Sequence, residues 1–269
     1  MTRLALTLLV GGFALHAAAA QEPPVRVVSG ESAATPVVRV EVAAATVAPA
    51  AERLPAALAE AEAALGKARD YNGHLVRQER VGGKLDAETT AELRVRTAPF
   101  AVSIKTTKPL TLAGEETSYV PGKTRLNARY RAPGIEGVKG FVTVEAGGAK
   151  ALSHCRHPAA EYGMAAIDDR VEKVLAVEKH LLNPVAVYAA EYAIAGKPVT
   201  RFEVVADRPH PARYAHRVVA YFETESKLPV RFEAYDAPKT PGAEGELIEM
   251  QAVVGVKLNV GLGERDFDR

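Results

Sequence analysis

Two periods of apolar residues alternate along this chain. Between Arg53 and Arg69, Leu54, Leu58, Ala61, Leu65 and Ala68 recur at four- and three-residue steps, with Glu60 and Glu62 toward the other side, which predicts a helix with one apolar face. Asp70-Tyr71-Asn72-Gly73 is the expected stop. Beyond it the period drops to two. Ala91, Leu93 and Val95 alternate with Glu92 and Arg94, and Phe100, Val102 and Ile104 alternate around Ser103. Leu126, Ala128 and Tyr130 are interleaved with Arg125, Asn127, Arg129 and Arg131, and Leu228, Val230, Phe232 and Ala234 with Arg231 and Glu233. The longest run takes in Ile248, Met250, Ala252, Val254, Val256, Leu258 and Val260 as its apolar set. Each pattern predicts a strand with one wet face.

A second helix interrupts the strands. Met164, Ile167, Val171, Val174, Leu175, Leu181 and Leu182 form its apolar stripe, and Asn183-Pro184 ends it. Asp168, Asp169 and Glu172 lie toward its start, with Lys179 and His180 toward its end, the order that suits the helix dipole. Turn signals fall at Gly82-Gly83, Pro121-Gly122, Pro133-Gly134, Gly147-Gly148, Gly196 and Pro238 to Gly242. The predicted plan is α+β: helix, several antiparallel strands, helix, several more strands, forming a large curved sheet with both helices over its apolar face.

The first fifty residues follow neither period. Met1 to Arg3 form a short basic start, Leu4 to Leu15 an apolar run too short to span a bilayer, and Ala17 to Ala20 a small-residue cleavage region, so residues 1–20 read as a signal peptide. No cysteine follows the run, which disfavours lipid anchoring and predicts a periplasmic or secreted product that does not span the membrane once the signal is removed. Residues 21–52, built of Ala, Val, Pro, Ser and Glu, read as a flexible low-complexity tether, with Val37 to Val42 β-prone enough to pair as an edge strand. Residues 53–269 are left as a single domain.

Composition narrows the chemistry. Cys155 is the single cysteine, so no intrachain disulfide forms. The formal charge of +1 recruits neither nucleic acid nor an anionic membrane as a whole. Tryptophan is absent, which weakens a carbohydrate-stacking role. Ser153-His154-Cys155-Arg156-His157 groups possible metal ligands, yet a closed zinc site needs about four and no second cluster supplies the rest. No G-x-S-x-G elbow, phosphate loop or dinucleotide fingerprint appears, so no catalytic residue, cofactor or metal is assigned. Arg125, Arg129, Arg131 and Lys139, and separately Arg201, Arg208, Arg213 and Arg217, form basic groups that solvate a sheet or meet an acidic partner.

Particular residues resemble a known family. Tyr71-Asn72-Gly73-His74-Leu75-Val76-Arg77-Gln78-Glu79-Arg80-Val81-Gly82-Gly83-Lys84-Leu85, then Leu93-Arg94-Val95-Arg96 and Pro99 to Lys105, resemble an exported bacterial family of unknown function, number fifteen seventy-one in that series. Gly114 to Lys123, Arg156-His157-Pro158, Leu228-Pro229-Val230-Arg231 and the stretch from Gly261-Leu262 to Asp266-Phe267-Asp268 continue the likeness over residues 53–269. More distantly, a helix followed by a Gln-bearing strand, a glycine turn and successive strands is similar to the Lol-type lipoprotein carriers. That resemblance implies an open antiparallel half-barrel closed by helices over a cavity that holds acyl chains. This chain differs in lacking tryptophan and in having Thr97-Ala98-Pro99-Phe100 before the aromatic strand. Neither resemblance supplies catalytic residues.

The expectation is a non-enzymatic exported protein that binds an apolar or lipid-like ligand on the inner face of a half-barrel, using Phe100, Val102, Ile104, Leu126, Tyr130, Val230 and Phe232. The same residues would equally build a closed core. Two other classes stay open: an envelope protein-interaction or sensor module with a filled core, and a hydrolase using Ser153 and His154.

Overall fold

Why the alternating segments become one sheet is visible in their connections. The computed structural model describes residues 37–39, 49–123, 127–181, 185–240 and 243–268. In chain order the strands are β1 (Val37–Arg39), β2 (Asp70–Val81), β3 (Lys84–Leu85), β4 (Thr89–Arg96), β5 (Ala101–Lys108), β6 (Glu116–Tyr119), β7 (Asn127–Arg131), β8 (Val142–Glu145), β9 (Val185–Ile194), β10 (Lys197–Ala206), β11 (Arg217–Glu223), β12 (Pro229–Tyr235) and β13 (Leu247–Leu258). Twelve of them lie side by side in the order β1-β9-β10-β11-β12-β13-β2-β4-β5-β6-β7-β8, every pair antiparallel, and β3 closes a hairpin on β2. The ends of this path, β1 and β8, do not pair with each other, so the sheet is open among the described residues.

Two helices complete the unit: α1 (Ala50–Leu65) and α2 (Met164–Leu181). From β2 to β8, and again from β9 to β13, the chain builds outward or inward by hairpins. α2 lies on the long crossing that carries the chain from β8 at one edge to β9 near the other, so that β13 returns to pair with β2 at the middle. That path lays α2 over the concave face. Leu54, Leu58 and Ala61 of α1 and Met164, Ile167 and Val171 of α2 pack there against Tyr71, Leu75, Leu93, Val95, Val102, Phe202, Phe222 and Phe232 in the main core. At about 1.5–3 kcal/mol for each large apolar side chain buried, this contact is the main support of both helices. No described helix is long and apolar enough to cross a membrane.

The predicted helix–strands–helix–strands order and the antiparallel sheet are those observed. Two local expectations change, and one alternative left open is taken up. α1 begins at Ala50 and stops at Leu65, and Asp70 to Gly73, expected as the stop, already belong to β2, because they find ladder partners in Arg96 through Leu93. Val37–Arg39, within the expected tether, pair with Ile194, Ala193 and Tyr192 as an edge strand; residues 1–36 and 40–48, including the expected signal, lie outside the described residues. In β13 the alternation is inverted. Met250 and Ala252 cluster with Val76 on the outer face, and Glu249, Gln251 and Val253 share rows with Glu79, Arg77 and Leu75 on the helix side.

Candidate functional site

The concave face carries two features: a cleft under α1 and a buried charged cluster beneath the start of α2.

The cleft follows from the placing of α1 across β10 and β11. Its floor is Phe202 and Phe222, which pair in register with Ala220 and Thr200 and meet edge to face at 5.9 Å between ring centres. Ala56 and Ala57 make the helix wall, and their small side chains leave about 240 Å³ of open space. Charge surrounds the mouth. Arg53 lies over the Phe202 ring at 5.6 Å and reaches Glu191 Oε1 at 3.2 Å, while Glu60 meets Lys227 Nζ at 3.3 Å on the opposite side. Thr200, Thr224 and Glu223 complete the lining. α1 is thus tied to the sheet by two partly exposed ion pairs, each worth little, and Pro55 in its second turn lacks the amide that would bond the preceding turn.

The charged cluster is held far more firmly. Tyr162 donates its hydroxyl to Glu79 Oε1 at 2.7 Å and accepts from Arg77 Nη1 at 2.9 Å, with the Arg77 guanidinium 5.0 Å over its ring. His157 Nε2 meets Glu249 Oε2 at 2.6 Å and its Nδ1 meets Glu161 Oε2 at 3.1 Å. Arg170 donates to Gln251 Oε1 at 2.7 Å and to the Glu161 carbonyl at 2.8 Å, and Gln251 donates to the Gly163 carbonyl at 2.9 Å. Burial opposes the Glu249 carboxylate, which is 1% exposed, but the His157 bond and the Arg170 charge hold its pKa below the usual range.

One ligand atom each from Glu79, His157 and Glu249 lie within 4.8 Å of one another, a spacing that a metal ion would fit. The charges do not. Arg77 lies 3.7 Å from Glu79, and Arg156 and Arg170 lie 3.7 and 3.5 Å from Glu249, so three guanidiniums already offset the carboxylates of Glu79, Glu249 and the neighbouring Glu161. A divalent cation would find carboxylates whose charge is already neutralised, and three ligands at most. The cluster acts as a clamp joining the loop before α2 to β2 and β13.

Of the residues expected to contact ligand, Leu126 lies outside the described residues. Val102, Ile104 and Phe232 are in the main core with Phe100 and Val230 packed against it. Tyr130 shares a row with Thr117 and Ile104 and donates to Glu115 at 3.0 Å. None of the described ones lines the α1 cleft; Ile104 borders a separate gap of about 30 Å³, space for about one water. Near the Ser153 and His154 weighed for hydrolysis, Ser153 donates its hydroxyl to the Lys150 carbonyl at 3.0 Å, and burial pushes the neighbouring Cys155 thiol up, away from reactive thiolate. The basic groups are largely occupied, with Arg129 and Arg131 over Phe141, Arg201 and Arg217 on Glu203, and Arg213 on Glu178. The cleft residues Phe202 and Phe222 escaped the sequence reading because their strands were not delimited, although Phe202 and Val204 alternate; Glu249 and Gln251 escaped because their apolar neighbours outscore them.

Solved structures with similar folds include an uncharacterized conserved protein from Thermus thermophilus (12% identity, 81% of this chain and 93% of that one, TM-score 0.46). Others are the lipoprotein LppX of Mycobacterium tuberculosis (15%, 78% and 98%, TM-score 0.44) and a LolA superfamily protein from Nitrosomonas europaea (9%, 80% and 97%, TM-score 0.33). No curated protein matches the sequence. Residues 68–269, which hold every strand from β2 onward, α2 and both walls of the charged clamp, match the family described as "Protein of unknown function (DUF1571)", and the chain belongs to that family.

Proposed function

We propose that this chain is an exported, non-enzymatic binding protein that takes an apolar, acyl-chain-like ligand between α1 and the β10–β11 part of the concave face. The observation that carries this reading is the cleft: space open to solvent beside an alanine wall and over Phe202 and Phe222, whose rings are otherwise buried, beneath a helix held by its apolar stripe and two outer ion pairs. Hydrocarbon would lie on Phe202 and Phe222, with a polar head at Arg53 and Lys227. Its volume of about 240 Å³ suits the end of a chain; pockets for whole small ligands run from about 300 Å³ upward. A longer ligand requires α1 to lift, which would extend the cleft toward Phe232 and Val230 and, beyond the centre of the sheet, toward Val102, Ile104, Phe100 and Tyr130. Export rests on the signal-like first twenty residues.

The absence of tryptophan makes the test simple. Ala56→Trp places a single indole in the cleft wall, and Ala63→Trp places one on the exposed side of α1 as a control. Titration with lauroyl lysophosphatidylcholine below its micelle concentration should give a saturable blue shift for Ala56→Trp alone. No shift, or equal shifts in both, overturns the reading. The packing of Val102, Ile104 and Phe232 by the helices favours a second reading, an envelope interaction module with a permanently filled face; a specific envelope partner retained by an Ala57→Phe variant that fills the cleft would favour it.

A further inference from the structure

Asp168 stands where an apolar residue belongs. On α2 it falls in line with Met164, Val171 and Leu175 at four- and three-residue steps, so it lies on the stripe that packs against the core. It is 6% exposed, and its Oδ1 has no hydrogen-bond partner among the described residues. The charged groups acting on it are acidic: Glu172 and Asp169 from its own helix and Glu62 from α1. Beneath α2, β11 and β12 supply Val218, Ala220, Phe232 and Ala234 to the core, all apolar. The cation on this stretch of α2, Arg170, is turned to Gln251 and the Glu161 carbonyl.

A carboxylate in this position keeps a buried oxygen, Oδ1, that is neither solvated nor paired, and burial disfavours the charge. Desolvation, with the three acidic neighbours adding to it, pushes the Asp168 carboxyl up to about 7. The two helices differ in how they would respond to its ionisation. α2 is anchored by the Met164 amide on Tyr71 Oη at 3.0 Å, by Arg170 on Gln251 and by Arg213 on Glu178 at 2.7 and 2.8 Å. α1, which carries Glu62, has among the described residues its apolar stripe and the two outer ion pairs already described.

We propose that Asp168 is a proton-operated catch for α1: protonated, it lets the two packed helices close over the concave face, and ionised, it is stabilised by the water that enters when α1 leaves α2, which releases α1 from the sheet. Its effect on ligand uptake rests on the α1 cleft being the ligand site. The direction follows from linkage. The closed state holds the proton more tightly than the open state, whose carboxyl has an ordinary value near 3.8. Opening therefore becomes more favourable as pH rises through the window from about 4 to about 7, and levels off above it.

Hydrogen exchange of the full chain between pH 5 and 8, corrected for the intrinsic rate, reads this directly. The protection of α1 amides should fall by up to about tenfold per pH unit to about pH 7 and then flatten. Asp168→Asn, which mimics the protonated group, should remove the slope and keep α1 protected throughout; Asp169→Asn, at an exposed position, should keep it. A flat profile in the wild type, or an unchanged slope in Asp168→Asn, overturns the catch. Calorimetry with lauroyl lysophosphatidylcholine, whose charge is constant over this range, separates the two claims. Tighter binding at pH 8 than at pH 6, lost in Asp168→Asn, supports both, and a pH-dependent α1 with no lipid binding at any pH keeps the catch and sinks the ligand reading.

Discussion

At the scale of single residues, the buried polar groups decide how the helices are held. Gly163 has φ +107°, and a Cβ there would come within 2.5 Å of Tyr71 Oη, the acceptor for the first amide of α2. Gly163→Ala is therefore expected to cost about 2–4 kcal/mol, from backbone strain and the lost contact, measured by denaturant unfolding. Glu249→Ala would leave Arg170 and His157 beside an emptied, buried site. A loss of about 3–5 kcal/mol is expected, the scale for breaking a buried pair from one side. Because the Glu249 pKa is lowered in the folded protein, its contribution is present above the ordinary glutamate range and disappears as pH falls below it. The difference between wild type and Glu249→Ala should accordingly narrow in acid. Neither residue stood out in the sequence, since a glutamate between isoleucine and methionine in a period-two run reads as the wet face, and here the wet-looking face is the inner one.

At the scale of elements, α1 and α2 bury similar stripes but differ in their polar ties. Leu58, 4% exposed, is at the centre of the α1 contact. Leu58→Ala should cost about 2–5 kcal/mol if α1 unfolds with the sheet. If α1 opens as a separate unit, most of that loss would appear as faster exchange of α1 amides, with the sheet amides nearly unchanged. The helices were legible from their three- and four-residue steps, and both were found within a few residues of their ends. Asp168 was not, because an acid near a helix start has an ordinary electrostatic explanation, and only its rotation toward the core shows that this explanation does not apply. The strands flanking Gly196 show the same limit: Phe202 alternates with neighbours well enough, but which strands form the floor of a cleft depends on where α1 comes to rest.

At the scale of the molecule, α2 is the connection that makes one sheet out of two hairpin series, bringing β13 to β2. Asp168 and Glu249 give the whole fold opposite responses to pH. A carboxyl raised when folded destabilises as pH rises through about 7, and one lowered when folded destabilises in acid. Stability should peak on the acid side of neutrality, and Asp168→Asn should raise the melting temperature more at pH 8 than at pH 5, with a gain of about 1–3 kcal/mol at the higher pH. The sequence alone determined the class of fold, the helix–strands–helix–strands order and the apolar set on the first strands, because periods of 3.6 and 2 are local properties of a chain. Tertiary structure alone decided which strands are neighbours, which face of β13 points inward, and that the predicted ligand face is largely covered by the helices. Those outcomes depend on how α2 crosses the sheet and on charges from distant segments neutralising one another in the interior, and no local pattern carries either.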